Sequence, residues 1–220
     1  MNFPATRAEA VVDTLHGVEV ADPYRWLEDE KSPEVQAWMK AQDAFAREHL
    51  ERFPGREALR QRYTELFYVE SLSAPAVRGN RYFYVRTHKD KEKAVLYWRE
   101  GEKGEERVLL DPNTWSPDGT VSLGLWAPSW DGRKLAFSRK PNAADEAILH
   151  VLDVDTGKWS EVDVIEGAKY ASPSWTPDNE SFYYAWLPTD PSIPVAERPG
   201  YTELRLHRLG TDPKTDAQVH

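Results

Sequence analysis

This 220-residue chain has no cysteine, so a cysteine nucleophile is excluded. The side chains considered for catalysis are therefore serine, histidine and the carboxylates. A serine nucleophile requires a strained Gly-x-Ser-x-Gly turn and a histidine and a carboxylate that activate it. No Gly-x-Ser-x-Gly sequence occurs. Ser32 is explained as a helix cap, and Ser129 and Ser174 are explained as residues of turns before strands. The sequence therefore predicts no catalytic residue.

Metal sites are not predicted either. The six histidines form no i, i+4 pair, so none has the spacing of metal ligands. The segment 153–157 resembles the start of a calcium loop, but its twelfth position is Val164 instead of glutamate. We expect a hairpin turn there, and no metal or cofactor. The carboxylate pairs Asp29–Glu30 and Asp145–Glu146 are interpreted as surface charge.

The charge balance bears on the class of partner. The chain has 28 basic and 37 acidic residues, a net charge of -9, and no cluster of basic residues of the kind that nucleic-acid binding needs. No run approaches the roughly 18 apolar residues of a membrane span, and the N-terminus lacks the pattern of a signal peptide. We expect a cytoplasmic protein with neither nucleic acid nor membrane as a partner.

The first seventy residues have helical patterns. Asp22-Pro23 predicts the start of a short helix, with the carboxylate as cap and proline at the first position. Ser32-Pro33-Glu34 predicts a second helix over about 33–51. A further apolar stripe has the spacing i, i+4, i+7 and i+8, which predicts a helix whose stripe packs in the core. It consists of Leu59, Tyr63, Leu66 and Phe67.

After residue 70 the apolar period changes from 3.6 to 2, with 71–75 as the crossing segment. A turn motif recurs at Pro75, Pro128 and Pro173, and each copy precedes two or more short runs of β-forming residues. About four strands per 45 residues is typical of a β-propeller blade. The sequence predicts a mainly β protein with an N-terminal helical segment and a partial propeller, two blades complete and most of a third.

Several motifs resemble those of one family, the prolyl oligopeptidases. They are His16–Glu28, the segment Ser32–Leu50, Leu109–Trp115, Ser116–Thr120, Trp130–Gly132 and Tyr201–Thr211. In that family a seven-bladed propeller caps an α/β-hydrolase domain, and the enzyme cleaves short peptides after proline. The resemblance implies that residues 1–70 pack on the hydrolase domain and that residues 71–220 are blades one to three.

The resemblance also implies that the chain is the N-terminal part of a longer enzyme and is inactive alone. The hydrolase part, with the serine, aspartate and histidine of the catalytic triad, would be its partner. Trp26 and Trp38 should be exposed when that part is absent. One substrate-binding residue is implied, Tyr170, at the position where the family has an aromatic residue beyond the proline pocket. A plain role as a core or rim aromatic stays open for Tyr170.

Two other functions remain open. Propellers also serve as interaction modules without catalysis, although such a module has no need of the helical block over 1–67. Oligopeptidase B, a relative that cleaves after basic residues, has a similar N-terminal part. The choice between these substrates is made outside the present sequence.

Overall fold

The structure, a computed structural model, describes residues 3–143 and 146–220. The chain forms two compact units, Met1–Phe67 and Tyr68–His220. The first unit carries both α-helices, and the second is built mainly of antiparallel strands. The predicted fold class, mainly β with an N-terminal helical segment, is confirmed.

The first unit begins with a hairpin that the sequence analysis did not predict. Strands β1 (Val12–Leu15) and β2 (Val18–Ala21) pair in antiparallel fashion. The helices are α1 (Pro33–Glu51), as predicted, and α2 (Arg56–Phe67). The hairpin turn places two consecutive residues, His16 and Gly17, at positive φ, which is the geometry that joins two twisted strands most closely.

The helix predicted to start at Asp22 is a short 3₁₀ helix that begins later, at Arg25. The Asp22 carboxylate accepts a bond of 3.4 Å from the Tyr24 amide and one of 2.5 Å from Arg25 Nε. The guanidinium of Arg25 also pairs with Asp13 of the hairpin. Arg25 therefore joins the hairpin to the 3₁₀ turn, because its guanidinium pairs with both Asp13 and Asp22.

Two tryptophans of the first unit are half-buried, so the prediction that both would be exposed is wrong. Their rings meet edge to face at 6.3 Å. Trp26 Nε1 donates to the Arg7 carbonyl at 2.8 Å, and Trp38 Nε1 donates to Thr6 Oγ1 at 3.0 Å. The N-terminal segment therefore lies against the two rings and provides the acceptors of both indole N–H groups.

The apolar stripe of α2 is exposed, so the prediction of core packing is wrong. The exposed fractions are 51%, 69%, 56% and 71% for Leu59, Tyr63, Leu66 and Phe67. Helical spacing shows which residues share a face, but it does not supply the surface that would cover that face.

The second unit contains three antiparallel sheets whose strands follow one another along the chain. Sheet one consists of β3 (Ser71–Leu72), β4 (Ala76–Arg78), β5 (Arg81–Thr87), β6 (Val95–Glu100) and β7 (Arg107–Leu110). Sheet two consists of β8 (Ser122–Pro128), β9 (Lys134–Lys140), β10 (Ile148–Asp153) and β11 (Trp159–Ile165). Sheet three consists of β12 (Ser174–Trp175), β13 (Ser181–Trp186), β14 (Glu203–Arg208) and β15 (Ala217–Gln218). Sheet three thus has all four strands, where the sequence predicted most of a blade.

Sheet one has five strands because its first strand is broken. Both β3 and β4 pair with β5, at opposite ends of it. Between them, the Ser73 amide donates to the Val85 carbonyl at 2.9 Å. Pro75 has no N–H for the ladder, so the pairing is interrupted there. Of residues 71–75, predicted as a crossing segment, Ser71 and Leu72 therefore form part of the sheet, and the rest of the segment connects β3 to β4.

Sheet two buries both of its faces. Leu135 and Phe137 of β9 pack in a cluster with sheet one, and Ala136 between them packs in a cluster with sheet three. Successive residues of a strand point to opposite faces, so one strand serves two interfaces. We call the interface of sheets one and two seam one, and that of sheets two and three seam two.

The turn between the first two strands has the same hydrogen bonds in sheets two and three. The structural match is shifted by two residues from the match that aligns Pro128 with Pro173. Ser129 and Thr176 each bond a following aspartate through the hydroxyl, Ser129 to Asp131 at 2.6 Å and Thr176 to Asp178 at 2.5 Å. The repeat therefore aligns Ser129 with Thr176. Ser174 lies in β12 and not in a turn as predicted.

Two indole groups connect the first strands of sheets two and three. Trp130 Nε1 donates to the Trp175 carbonyl at 3.0 Å, and Trp175 Nε1 donates to the Ala127 carbonyl at 2.9 Å. The Trp175 ring is buried and the Trp130 ring is exposed, and each N–H group has a backbone acceptor on the other side of seam two.

We expect the chain to self-associate at concentrations of about tens of micromolar, because the α2 stripe is an exposed apolar surface. The double variant Leu59→Gln/Leu66→Gln should scatter less light and sediment as a smaller species. Gln61→Ala, on the same helix, is the control and should behave like the parent. A parent chain that stays monomeric in this range would contradict the prediction.

Candidate functional site

The long connections of the second unit share one edge of the sheets. In an antiparallel meander, the loop after the second strand and the connection after the fourth strand lie at the same end. We call this end the crossover edge. Its segments are 88–94, 111–121, 141–147, 166–173 and 187–202. Residues 144–145, including Asp145 of one predicted surface pair, lie outside the described residues.

Tyr170 lies at the crossover edge, in the turn between sheets two and three. Its neighbours Ala168 and Ala171 are each 1% exposed and belong to the seam two cluster, whereas Tyr170 is 47% exposed. The Ala168 amide donates to the Ala147 carbonyl at 3.1 Å. The two buried alanines anchor the backbone of the turn in the core. The Tyr170 ring between them is exposed to solvent on this anchored backbone. The ammonium group of Lys169 lies 5.6 Å from the ring centroid.

A glycine fixes the loop beside this turn. Gly167 has a φ of +73°, and its carbonyl accepts the Leu187 amide at 2.9 Å. A side chain at this position would overlap the carbonyl oxygen of Leu187. Only glycine permits both the positive φ and the close approach of the 187–202 loop. Arg198 closes that loop by donating to the carbonyls of Ile193 and Asp190, at 3.2 and 3.3 Å.

The Asp-Pro-Asn motif organises the other end of this edge. The Asn113 side chain pairs with both backbone groups of Lys93, accepting from its amide and donating to its carbonyl at 2.9 Å each. The Asp111 carboxylate accepts the Asn113 amide at 3.1 Å. Trp115, which ends the motif, packs against the seam one cluster. The motif therefore joins the loop before β6 to the connection after β7.

The described residues contain no group of three or more histidine, cysteine, aspartate or glutamate residues placed to hold a metal ion. The predicted turn over 153–157 is a hairpin, in which Asp153 accepts from the Thr156 amide at 3.0 Å. The hydrogen bond from Lys134, with those from Thr156, lowers the pKa of Asp153 to about 2 despite desolvation. Asp29 and Glu30 are exposed, as predicted.

Ser129 is fully buried and bonds Asp131, so it is not accessible to a substrate. The sequence analysis missed one cluster of titratable groups. It consists of His207, Asp163, Asp216 and Tyr184, which lie far apart in the sequence and meet at seam two. No spacing rule could have found it, because its members come from β11 of sheet two and from β13, β14 and the segment before β15 of sheet three.

A family model described as the N-terminal β-propeller domain of prolyl oligopeptidase matches residues 3–220. The chain belongs to the prolyl oligopeptidase family. The family predicted from the motifs is confirmed, and the three sheets are blades of its propeller domain.

Relatives in the prolyl oligopeptidase family align with the whole chain. The prolyl endopeptidase of Elizabethkingia meningoseptica is 28% identical over 220 residues, which are 100% of this chain and 31% of the relative. A solved structure from a study of two prolyl endopeptidases and their inter-domain dynamics is 72% identical, with a TM-score of 0.97. That alignment covers 100% of this chain and 32% of the solved one.

A more distant structure shows the same fold. Prolyl oligopeptidase B of Galerina marginata, bound to a 35-residue hydrolysis and macrocyclization substrate, is 22% identical with a TM-score of 0.83. This alignment covers 100% of the present chain and 33% of the other. The present prolyl oligopeptidase chain thus spans about a third of the length of its relatives.

Neither of the α-helices that the structure describes has the length and apolar character needed to cross a membrane. The assignment of Tyr170 as a substrate contact stays a prediction.

Gly167→Ala should lower the free energy of unfolding by about 2 kcal/mol or more, because strain at positive φ adds to overlap with Leu187. The matched control is Gly157→Ala, since Gly157 has a φ of +68° with open space around it. Strain alone should cost about 1 kcal/mol there. Denaturant unfolding of both variants measures the difference, and equal losses would show that the loop contact does not constrain Gly167.

Proposed function

We propose that this chain is the N-terminal and propeller part of a serine-type endopeptidase that cleaves short peptides after proline. The observation that carries the proposal is the 72% identity, over the whole chain, with a solved prolyl endopeptidase. The catalytic serine, aspartate and histidine would come from an α/β-hydrolase part outside these 220 residues. The protein would act in the cytoplasm, without nucleic acid or membrane as a partner.

The first unit supports a role in binding that hydrolase part. Its helix α2 presents the stripe of Leu59, Tyr63, Leu66 and Phe67, each more than half exposed. An amphipathic helix with an exposed apolar face stabilises an assembly when a second apolar surface covers it. We assign residues 1–70 to this contact and residues 71–220 to blades one to three.

Tyr170 is the proposed substrate contact of this chain. Its ring is nearly half exposed on a turn held by two buried alanines, so binding a peptide would cost little ordering of the turn. An aromatic ring offers a flat apolar surface to a substrate side chain, and the hydroxyl adds one polar group.

A chimera tests the function. We expect a protein in which residues 1–220 replace the matching third of the 72% identical prolyl endopeptidase to hydrolyse a glycyl-prolyl chromogenic amide. Its kcat/KM should lie within about tenfold of the parent enzyme, a change of roughly 1.4 kcal/mol in transition-state stabilisation. A folded chimera without this activity would contradict the proposal.

The isolated 220-residue chain should neither cleave the amide nor react with a fluorophosphonate probe, because no serine of the chain lies in a nucleophile elbow. Mass spectrometry of the probe-treated chain measures this. Stoichiometric labelling of one serine, lost in its alanine variant, would overturn the prediction.

In the chimera, Tyr170→Ala should raise KM about tenfold with kcat nearly unchanged, because a ring contact of about 1.4 kcal/mol is lost from ground and transition states alike. Tyr170→Phe should stay within about twofold if the ring alone makes the contact. The control is Val162→Ala, at an exposed apolar residue on the outermost strand of sheet two. Unchanged steady-state constants in Tyr170→Ala would show that the ring is a rim residue only.

A further inference from the structure

Four buried side chains form one hydrogen-bonded cluster across seam two. His207 of β14 is fully buried, with Nε2 2.9 Å from Asp163 Oδ1 on β11. Its Nδ1 lies 2.9 Å from Asp216 Oδ1, just before β15. Tyr184 donates its hydroxyl to Asp216 Oδ2 at 2.8 Å. The Gly210 amide donates to Asp163 Oδ1 at 2.6 Å. The imidazole therefore connects the outermost strand of sheet two with sheet three.

When Asp163 and Asp216 are both ionised, the geometry is satisfied by two protons on the ring of His207. A carboxylate only accepts hydrogen bonds, and a neutral imidazole has a single N–H, so both contacts are hydrogen bonds only when the ring is an imidazolium. Burial by itself would lower the pKa of His207, but the hydrogen bonds to Asp163 and Asp216 outweigh it, and the pKa lies above its ordinary value. The Asp163 pKa is lowered, because hydrogen bonds from His207, Ser160 and Gly210 outweigh its desolvation.

A second histidine in the preceding sheet provides an internal comparison. His150 pairs with Phe137 in sheet two as His207 pairs with Phe182 in sheet three. His150 is also buried, but no described group bonds its Nε2. Burial and the nearby charge of Arg139 lower the pKa of His150 to about 4. The same position in two blades thus holds a ring with a lowered pKa in one and a ring with a raised pKa in the other.

The charged and titratable groups around His207 come from four elements. Sheet two contributes Asp163, the segment before β15 contributes Asp216, and β13 contributes Tyr184. On β14 itself, Arg205 lies near Tyr184 and is paired with Glu203 at 2.7 Å. In the adjoining cleft, Lys134 is paired with Asp153 at 2.9 Å. Lys158 lines the same cleft, and Glu166, Asp212 and Lys214 line the cleft beside Tyr184.

We propose that His207 is a proton-dependent latch of seam two, which is closed while both ring nitrogens carry a proton and opens when one proton leaves. Loss of the proton would place a nitrogen lone pair 2.9 Å from a buried carboxylate oxygen, so repulsion between lone pairs would replace the hydrogen bond. Opening would join two cavities that lie on either side of the cluster. One, of about 320 Å³, is lined by Tyr184, and the other, of about 380 Å³, by Asp163 and Gly210.

The sign of the pH dependence follows from the two directions of shift. The stabilisation from His207 is fully present below the unfolded pKa of about 6.5 and is lost as pH rises through the higher folded value. The stabilisation from Asp163 is present above the ordinary carboxyl pKa of about 3.9 and is lost as pH falls through its lowered value. The latch is therefore closed from mildly acidic pH up to the raised pKa of His207, and it opens as pH rises through that pKa.

Hydrogen exchange of the 220-residue chain, read by mass spectrometry, tests the latch. Exchange at the imidazole C2 position titrates each histidine separately, and we expect a midpoint above 6.5 for His207 and well below it for His150. Backbone exchange over residues 203–212 should show at least tenfold more opening at pH 9 than at pH 6, after correction for intrinsic rates. Residues 95–100 of sheet one are the control and should change less than twofold. A His207 midpoint below 6.5 would overturn the proposal.

Variants separate the latch from a merely structural histidine. In His207→Gln the opening over 203–212 should no longer depend on pH, whereas His150→Gln should keep the full dependence. If His207→Gln does not fold, Asp163→Asn gives the decisive reading. The amide keeps the shape and an acceptor but removes one charge, so the His207 midpoint should fall by at least one pH unit. A midpoint that stays unchanged in Asp163→Asn, or a pH dependence that survives in His207→Gln, would refute the latch.

Discussion

A β-sheet with two apolar faces is stable in water only when other groups cover both faces, and this constraint governs the arrangement of residues 68–220. Sheet two satisfies it with Leu135 and Phe137 toward sheet one and Ala136 toward sheet three. The small side chain faces the seam that receives Trp175 and Phe182, so large and small residues alternate where the sheets approach. Each apolar cluster thus contains residues of two neighbouring sheets. A single sheet would leave its half of the cluster exposed to water.

Polar groups at each seam also find their hydrogen-bond partners on the neighbouring sheet. Arg81 of sheet one donates to the Gly132 carbonyl at 3.2 Å and to Asp155 at 2.7 Å, both on sheet two. Seam two has the indole hydrogen bonds and the His207 cluster instead. A buried donor or acceptor without a partner costs about 1–3 kcal/mol, so such pairs discriminate against sheets that are packed but shifted. The apolar clusters stabilise the seams, and the polar pairs select one register.

The sequence predicted the features that depend on local spacing. The helix over 33–51 and the strands around Tyr82–Tyr84 and Leu135–Phe137 follow from periodicity, and the family follows from several short motifs. Features set by partners distant in sequence were not predictable. The α2 stripe has core spacing yet is exposed, because spacing does not report a covering surface. Tyr170 could be assigned only through the family resemblance, since an exposed aromatic residue in a turn has no spacing of its own.

The reciprocal hydrogen bonds of Trp130 and Trp175 also set an angle. Hydrogen bonds are directional, so two of them in opposite directions across seam two restrict the rotation of sheet three against sheet two. In a propeller, the rotations between successive blades add up to a full circle. An error at one junction must then be absorbed by all the others. The two indole groups therefore help to fix the angular step between these two blades.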